Sequence, residues 1–275
     1  MNKISAVKAV ARNFRDLIID AKPATLTGTS LDFLRLIQPM SDQLRGKEVY
    51  IYDGGGAGQS RFVTSFTNIT SGGRVTFEEV FSTIPSINSD CLMFEKFHKD
   101  EYDNFLERMI GMAKLKHLED KVATLALVAT QYEYAVPSGF EYIHSLRLVP
   151  SGSSDYGADD YVGAVFEIPP HEYRIEQNPV GTYIIAFDRR KISLSSYDDK
   201  WVRIQGQAKP DIAATDNASI PEDIEEYIVN GASMLVASIL AGQNEKFRTK
   251  FYMFRDIHRE LEDYIFTPKR GKQVA

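Results

Sequence analysis

Two blocks of short β-type runs, separated by a helical stretch, most constrain how this chain can fold. In residues 47–97 the runs are rich in β-branched and aromatic residues, and glycine, serine and proline separate them: KEVYIYD, SRFVTSFTNI, GRVTFEE and DCLMFEKF. Residues 134–206 contain a second such block, with EYIHSLRLV, YVGAVFEI, TYIIAFD, KISLS and KWVRIQG. Runs of this kind joined by turn segments predict an antiparallel β-meander in the first block and another meander or a small sandwich in the second.

Apolar residues at helical spacing flank these blocks. Residues 3–21 predict an amphipathic helix that ends before Pro23, because Ile4, Val7, Ala11, Phe14 and Ile18 recur on one face. Asp100 is a candidate N-cap for a long central helix. Its apolar stripe steps by three and four residues through Tyr102, Phe105, Met109, Met112, Leu115, Leu118, Val122 and Leu125.

The last third of the chain predicts a helical hairpin. Ser219, Pro221 and Glu222 form a helix start signal, and Gly242 marks the end of that helix. A final helix follows, stopped by Pro268. We expect the apolar faces of the hairpin to pack in a helical core, with the contributors Leu235, Phe251 and Leu261.

The element order α, β, α, β, α, α favours an α+β protein, namely a helix bundle with two inserted antiparallel β-regions. A parallel α/β sheet would need single strands alternating with helices. The predicted helical body consists of residues 1–46, 98–133 and 207–265. Residues 47–97 form the first β-insertion, residues 134–206 the second β-region, and residues 266–275 a flexible carboxy-terminal tail.

Composition and charge exclude several classes. Hydrophobic residues make up 43% of the chain and charged residues 25%, as in ordinary globular proteins. The net charge of −6 disfavours a protein that grips nucleic acid tightly through phosphates, although it leaves room for a local basic patch. A single cysteine, Cys91, permits no intrachain disulfide. No signal peptide or membrane helix is expected, so we predict a soluble protein made in a cytoplasm.

The glycine-rich segment DGGGAGQSR at 53–61 is the strongest candidate for a ligand loop. It lacks the Gly-Lys-Ser/Thr ending of a phosphate-binding P-loop, and it precedes a strand instead of the helix that a dinucleotide site requires. We therefore expect a hairpin turn of the β-insertion, in which Gly54, Gly55, Gly56 and Gly58 supply unusual backbone angles.

No constellation of residues typical of catalysis is present in the sequence. The five histidines are scattered, no nucleophile elbow occurs, and the adjacent acid pairs lie in loop-like contexts. We expect no enzyme activity, no metal and no cofactor. The end of the chain, TPKRGKQVA, is too polar to pack, and Lys269, Arg270 and Lys272 make it either a solvated end or a docking peptide for an acidic partner.

Three stretches, taken in order, resemble the head-to-tail connector proteins of tailed bacteriophages. The first is LRGKEVYIYDGGGAGQSRFVTSF with the later RVTFEEVFSTIPSINSDCLMFEK, which is similar to the β-insertion of those proteins. The second is EYAVPSGFEYIHSL, similar to the passage after their long helix. The third is WVRIQGQAKPDIAATDNASIPEDIEEYIVNGASMLVAS, similar to a strand, a Gly-to-Pro link and an Ile-Pro-Glu helix start.

This resemblance implies a structural virion protein of the neck: an adaptor subunit in a homo-oligomeric ring, commonly of twelve copies, through which DNA passes. The implied partners are other copies of the chain, the portal protein, and tail or further neck proteins, without sequence-specific nucleic acid binding or a membrane. The implied location is the portal vertex of the virion. Two alternatives remain open, another tail or baseplate component and, more remotely, an enzyme of unknown activity.

Overall fold

The chain forms two compact units. The computed structural model describes residues 1–34, 36, 43–149, 166–177, 183–197, 200–213 and 215–266. The first unit combines residues 1–116 with residues 212–275, and the second consists of residues 117–211. The first unit thus contains the amino-terminal segment, the block at 47–97 and the carboxy-terminal helices together.

A seven-stranded antiparallel sheet is the main element of the first unit. Its strand order is β1-β7-β4-β5-β6-β3-β2. Every pairing between these strands is antiparallel. The strands are β1 (Leu17–Ala21), β2 (Thr25–Thr27), β3 (Ser30–Leu34), β4 (Glu48–Asp53), β5 (Ser60–Ile69), β6 (Gly72–Phe77) and β7 (Asp90–Phe94).

Within the described residues four helices complete the first unit, and its apolar residues form two cores. The helices are α1 (Lys3–Asn13), α2 (Lys99–Lys116), α3 (Glu222–Leu240) and α4 (Glu245–Phe266). β4 shows how the two cores are separated, because successive side chains of a strand point to opposite faces. Tyr50 and Tyr52 pack against the core formed with the helices, whereas Val49 and Ile51 belong to a core formed by the strands.

The second unit consists of two antiparallel sheets around one apolar core. The strand orders are β11-β10-β14-β8 and β12-β13-β9. Buried residues from both sheets share that core, including Leu146, Val202 and Ile185. The elements are β8 (Glu119–Ala126), β9 (Glu133–Ala135), β10 (Tyr142–Val149), β11 (Phe166–Glu167), β12 (Tyr173–Gln177), β13 (Tyr183–Phe187), a 3₁₀ turn (Leu194–Tyr197) and β14 (Trp201–Ala208).

The predicted fold class, a helix bundle with two inserted β-regions, is wrong. Strands dominate, and the seven-stranded sheet includes three strands from residues 17–34, before the predicted β-insertion begins. Tyr50 and Tyr52 lie against the helical core, so the sheet forms one wall of the unit and is not an excursion from a bundle. The range predicted as a helical hairpin is occupied by α3 and α4.

Two helix boundaries explain the error. The first helix ends at Asn13, not near residue 21, because Arg15 takes a positive φ of 56° and the following LIIDA segment pairs with β7. The central helix ends at Lys116, and the residues predicted as its last turns form β8, where intermediate and exposed residues alternate. Val122 and Thr124 are β-branched and favour a strand, and pairing with β14 overrides the helical spacing.

Candidate assembly surfaces

The glycine turn between β4 and β5 packs tightly against the segment that leads to β7. Gly54, Gly56 and Gly58 have φ values of 82°, 80° and 85°, which residues with a side chain rarely adopt. Gly55 does not have a positive φ, so the prediction of unusual backbone angles holds for three of the four glycines. A Cβ on Gly56 would lie 2.8 Å from the Thr83 carbonyl oxygen. The turn therefore requires glycine both for its backbone angles and for this close approach.

Polar side chains from the start of β5 fix the segment at 80–89, which has no regular secondary structure. The Gln59 carboxamide accepts from the Ser82 amide at 2.8 Å and donates to the Thr83 carbonyl at 3.0 Å. The Arg61 guanidinium donates to the Val80 carbonyl at 2.8 Å. These bonds hold an irregular segment in one conformation, since they satisfy backbone groups that no strand or helix pairs.

The same segment turns some side chains inward and others outward. Phe81 is buried and meets Phe77 edge-on at 5.2 Å. Ser89 is buried too, and its hydroxyl donates to the Gly55 carbonyl at 2.7 Å. Three large aliphatic side chains of the segment are exposed to solvent: Val80, directly before Phe81, and Ile84 and Ile87, between the two anchors, with exposed fractions of 57%, 54% and 59%.

Acidic residues lie next to these exposed aliphatic side chains. Glu78 and Glu79 are exposed and directly precede Val80. Glu79 approaches Arg61 at 3.9 Å, yet its side chain stays 80% exposed, so this pair contributes little. We call the set Glu78, Glu79, Val80, Ile84 and Ile87 the acidic face. Exposed apolar groups with a polar rim are typical of protein interaction sites.

A second exposed surface lies on the first half of α4. The aromatic side of the helix packs inward, where the Phe14 ring lies 6.3 Å from the Phe247 ring and 5.8 Å from the Phe254 ring, measured between ring centroids. Other positions of the same stretch stay accessible. Lys246, Arg248, Tyr252 and Met253 are exposed, and Lys250 is half-buried. At about 100° per residue, Lys246, Lys250 and Met253 lie on one flank of α4 and Arg248 and Tyr252 on the opposite flank. We call these five residues together the basic face.

Several cations gather at this end of α4. Lys250 lies over the Phe14 ring at 5.0 Å and donates to the Asn13 carbonyl, and Lys96 lies over the Phe247 ring at 5.1 Å. Burial lowers the pKa of Lys250, and the neighbouring cations Lys246, Arg15 and Lys96 lower it further. The basic face therefore has a positive local field, whereas the chain as a whole has a net charge of −6.

The residues predicted for the helical core lie at the edge of that core. Leu235 on α3 and Phe251 and Leu261 on α4 are all half-buried and pack against the fully buried cluster. Ile224, Tyr227 and Ile228 of α3 are fully buried. The predicted docking residues Lys269, Arg270 and Lys272 lie outside the described residues.

A buried lysine of the first unit is paired with two carboxylates. Lys99 is 2% exposed, and its ammonium group donates to Asp103 and to Asp216, each at 2.7 Å. Tyr50 also donates its hydroxyl to Asp216, and burial raises the pKa of that hydroxyl. This network joins β4, α2 and the segment before α3, and each cation in it has carboxylate partners. A structural role accounts for it.

Reactive groups are sparse in the described residues. There, no group of three or more His, Cys, Asp or Glu residues could hold a metal ion. Cys91 is buried, and burial raises the pKa of its thiol to about 12, so it is a poor nucleophile. Among these residues no helix is long and apolar enough to span a bilayer.

No protein-family model matches the chain, and no curated protein matches it.

Proposed function

We propose that this chain is a structural subunit of a tailed-bacteriophage particle, a head-to-tail connector that forms a ring of identical copies. The observation that carries the assembly part of this proposal is the pair of surfaces on the first unit. One carries apolar side chains beside carboxylates, and the other carries apolar side chains beside ammonium and guanidinium groups. The virion role rests on the resemblance of three ordered sequence stretches to connector proteins.

The acidic face of one copy would bind the basic face of a second copy. Two different surfaces that fit each other make a head-to-tail contact, and such contacts close into a ring when the rotation permits. Val80, Ile84 and Ile87 would bury apolar area against Met253, which lies on the flank of α4 that carries Lys246. The acidic and cationic side chains around them favour one orientation and disfavour contact between like faces.

The fixed conformation of the acidic face suits this role. Gln59, Arg61 and Ser89 already hold the segment at 80–89 in place within one subunit. Little conformational entropy would then be lost when a neighbour binds, and pre-organisation of this kind strengthens association. The partners beyond the ring would be the portal protein and a tail or further neck protein.

The carboxy-terminal tail would dock on one of those partners. Lys269, Arg270 and Lys272 give residues 267–275 three positive charges, and the sequence there contains Pro268 and Gly271, which oppose continuation of α4. A chain ending at Phe266 should fold normally but enter particles poorly. Equal incorporation of the truncated and full chains would show that the tail has no docking role.

Sedimentation and electron microscopy test the ring. The purified chain should self-associate with rising concentration, and the substitution pair I84D/I87D should prevent this, as should K246E/R248E. Leu115→Asp, a charge placed on a strongly exposed leucine of α2 away from both faces, is the matched control and should leave association unchanged.

Mixing the two variants tests the head-to-tail geometry. I84D/I87D keeps an intact basic face and K246E/R248E keeps an intact acidic face, so the mixture should form a dimer and stop there. Assembly of I84D/I87D alone would overturn the assigned faces. In virions, a ring at the capsid vertex is expected, and labelling of the tail tip in its place would overturn the connector role.

A further inference from the structure

A cavity of about 540 Å³ in the second unit has a predominantly cationic lining. It lies between the turn after β13, the start of β12 and the residues before β9. Four arginine or lysine residues and two acidic residues line it, a net charge of +2 with His171 neutral. The cations are Arg174, Arg189, Arg190 and Lys191.

The turn after β13 explains why three of these cations are consecutive. The Asp188 amide donates to the Glu172 carbonyl at 2.8 Å, which anchors the start of the turn on the neighbouring strand. The Asp188 carboxylate accepts from the Arg190 amide at 3.0 Å, and the Lys191 amide donates to the Asp188 carbonyl at 2.9 Å. These bonds fix the backbone from which Arg189, Arg190 and Lys191 project.

Two of the four cations have no carboxylate partner within the residues that the structure describes. Arg174 pairs with Glu176 at 2.6 Å, and Lys191 donates to the His171 carbonyl at 3.0 Å and lies 3.8 Å from Asp188. The Arg189 guanidinium lies 4.8 Å from the centre of the Tyr132 ring and has no carboxylate partner in the residues that the structure describes. The Arg190 guanidinium has no side-chain partner in that part of the chain either.

Arg189 and Arg190 both line the cavity, so an anion bound there would supply the counter-charge that they lack among the described residues. Planar guanidinium groups bind phosphate and carboxylate oxygens through paired N–H donors. The cavity is larger than an inorganic anion requires and lies within the range of small-ligand sites, about 300–1,000 Å³. Tyr132, Tyr173 and His171 add aromatic rings to its lining.

We propose that this cavity binds a nucleotide, either free or within single-stranded nucleic acid. Arg189 and Arg190 would hold the phosphate, and the aromatic side chains would offer a stacking surface for the base. Aromatic and cationic side chains together are typical of sites that bind single strands without reading their sequence. The carboxylate side chains of an acidic peptide could not stack on the aromatic rings, so such a peptide fits the cavity less well than a nucleotide. This inference is independent of the proposed ring, whose faces lie on the first unit.

Fluorescence anisotropy with a labelled oligothymidine tests the proposal. The full chain should bind the probe at low salt, and with two phosphate contacts the logarithm of the binding constant should fall with log salt at a slope of about −1.4. R189E/R190E should weaken binding at least tenfold. The control R45E/R108E makes the same change of charge at exposed arginines of the first unit and should bind as the unmodified chain does.

Competition identifies the ligand chemistry. Adenosine monophosphate should displace the probe, and its affinity relative to the oligonucleotide would tell a free nucleotide from a nucleic acid strand. Inorganic phosphate or an aspartate-rich peptide that competes as well as the nucleotide would overturn the proposal. Equal binding by R189E/R190E and the control pair would also overturn it. Thermal melting confirms that each variant is folded, and sedimentation of R189E/R190E reports ring formation separately.

Discussion

Tyr102 on α2 donates its hydroxyl hydrogen to the Asp16 carboxylate, which lies between α1 and β1, over 2.5 Å. Both side chains are buried. The same carboxylate accepts from the backbone amides of Lys96 and Phe97, so it joins the end of α1, the end of β7 and the start of α2. Burial raises the pKa of Asp16, and the bonds from Tyr102 and the two amides oppose that rise.

Tyr102→Phe should therefore destabilise the protein by about 1–3 kcal/mol, the usual cost when a buried acceptor loses a partner. The carboxylate would keep its two amide donors but lose the shortest of its three bonds. Tyr252→Phe, which removes a hydroxyl from an exposed tyrosine of α4, is the control and should have almost no effect. Urea unfolding curves measure the stability of both variants. Equal unfolding midpoints for the two would mean that the Tyr102 hydrogen bond contributes nothing to stability.

Gly56→Ala should destabilise the protein more than Gly58→Ala. Both positions have a positive φ, which costs a residue with a Cβ roughly 1–2 kcal/mol. At Gly56 the new methyl group would also meet the Thr83 carbonyl, whereas no atom lies within 4 Å at Gly58. The difference between the two unfolding free energies isolates this contact. A larger loss of unfolding free energy in Gly58→Ala than in Gly56→Ala would contradict the geometry of the turn.

Sequence patterns located most elements but misjudged how they combine. β4 to β7 fall in the block of β-type runs, because those segments carry β-branched and aromatic residues between clear turn signals. The sequence predicts helix and link where the structure has β1 to β3, since these strands are short and Ile18 continues the helical spacing of α1. Which strand pairs with which is set by tertiary contacts, so the period of the sequence did not indicate a seven-stranded sheet.

The candidate surfaces were harder to predict. Ile84 and Ile87 stand in a serine- and proline-containing link, and only the structure shows that Phe81 is buried while these two are exposed. The sequence does not indicate the cationic cavity, because Arg174 on β12 and Arg190 in the turn after β13 are brought together by the pairing of β12 with β13. The run Arg189-Arg190-Lys191 in the sequence is the one local signal that could have indicated it.

Truncation in the helical hairpin should cost more at Ile228 than at Leu235. Ile228 is completely buried in the core that α3 shares with the other helices, whereas Leu235 is half-buried at its edge. We expect Ile228→Ala to lower the free energy of unfolding by about 2–5 kcal/mol and Leu235→Ala by roughly half as much. Guanidinium unfolding curves give both changes in unfolding free energy. An equal loss in the two variants would contradict the half-buried position of Leu235.

The stability of the protein should fall as the solution is acidified below about pH 6.5, in part because of His258. This side chain is 5% exposed on α4 and stacks on Tyr227 of α3 at 4.2 Å, and its Nδ1 atom has no hydrogen-bond partner among the described residues. Burial lowers the pKa of His258 below its ordinary value of 6.5. Glu262 on the same helix and a hydrogen bond with the Tyr227 backbone oppose this shift, and Lys116 of α2 supports it.

The sign follows from proton binding in the two states. Above pH 6.5 the imidazole is neutral in both the folded and the unfolded chain, so the unfolding free energy does not depend on it. Below that pH the unfolded chain binds a proton that the folded chain does not, until the lower folded pKa is reached. One such group changes the unfolding free energy by at most about 1.4 kcal/mol per pH unit.

His258→Gln removes the titrating group. Unfolding curves measured at a series of pH values should therefore show a shallower acid dependence in this variant, whatever its stability at neutral pH. Parallel curves for the two proteins would rule out a contribution from His258.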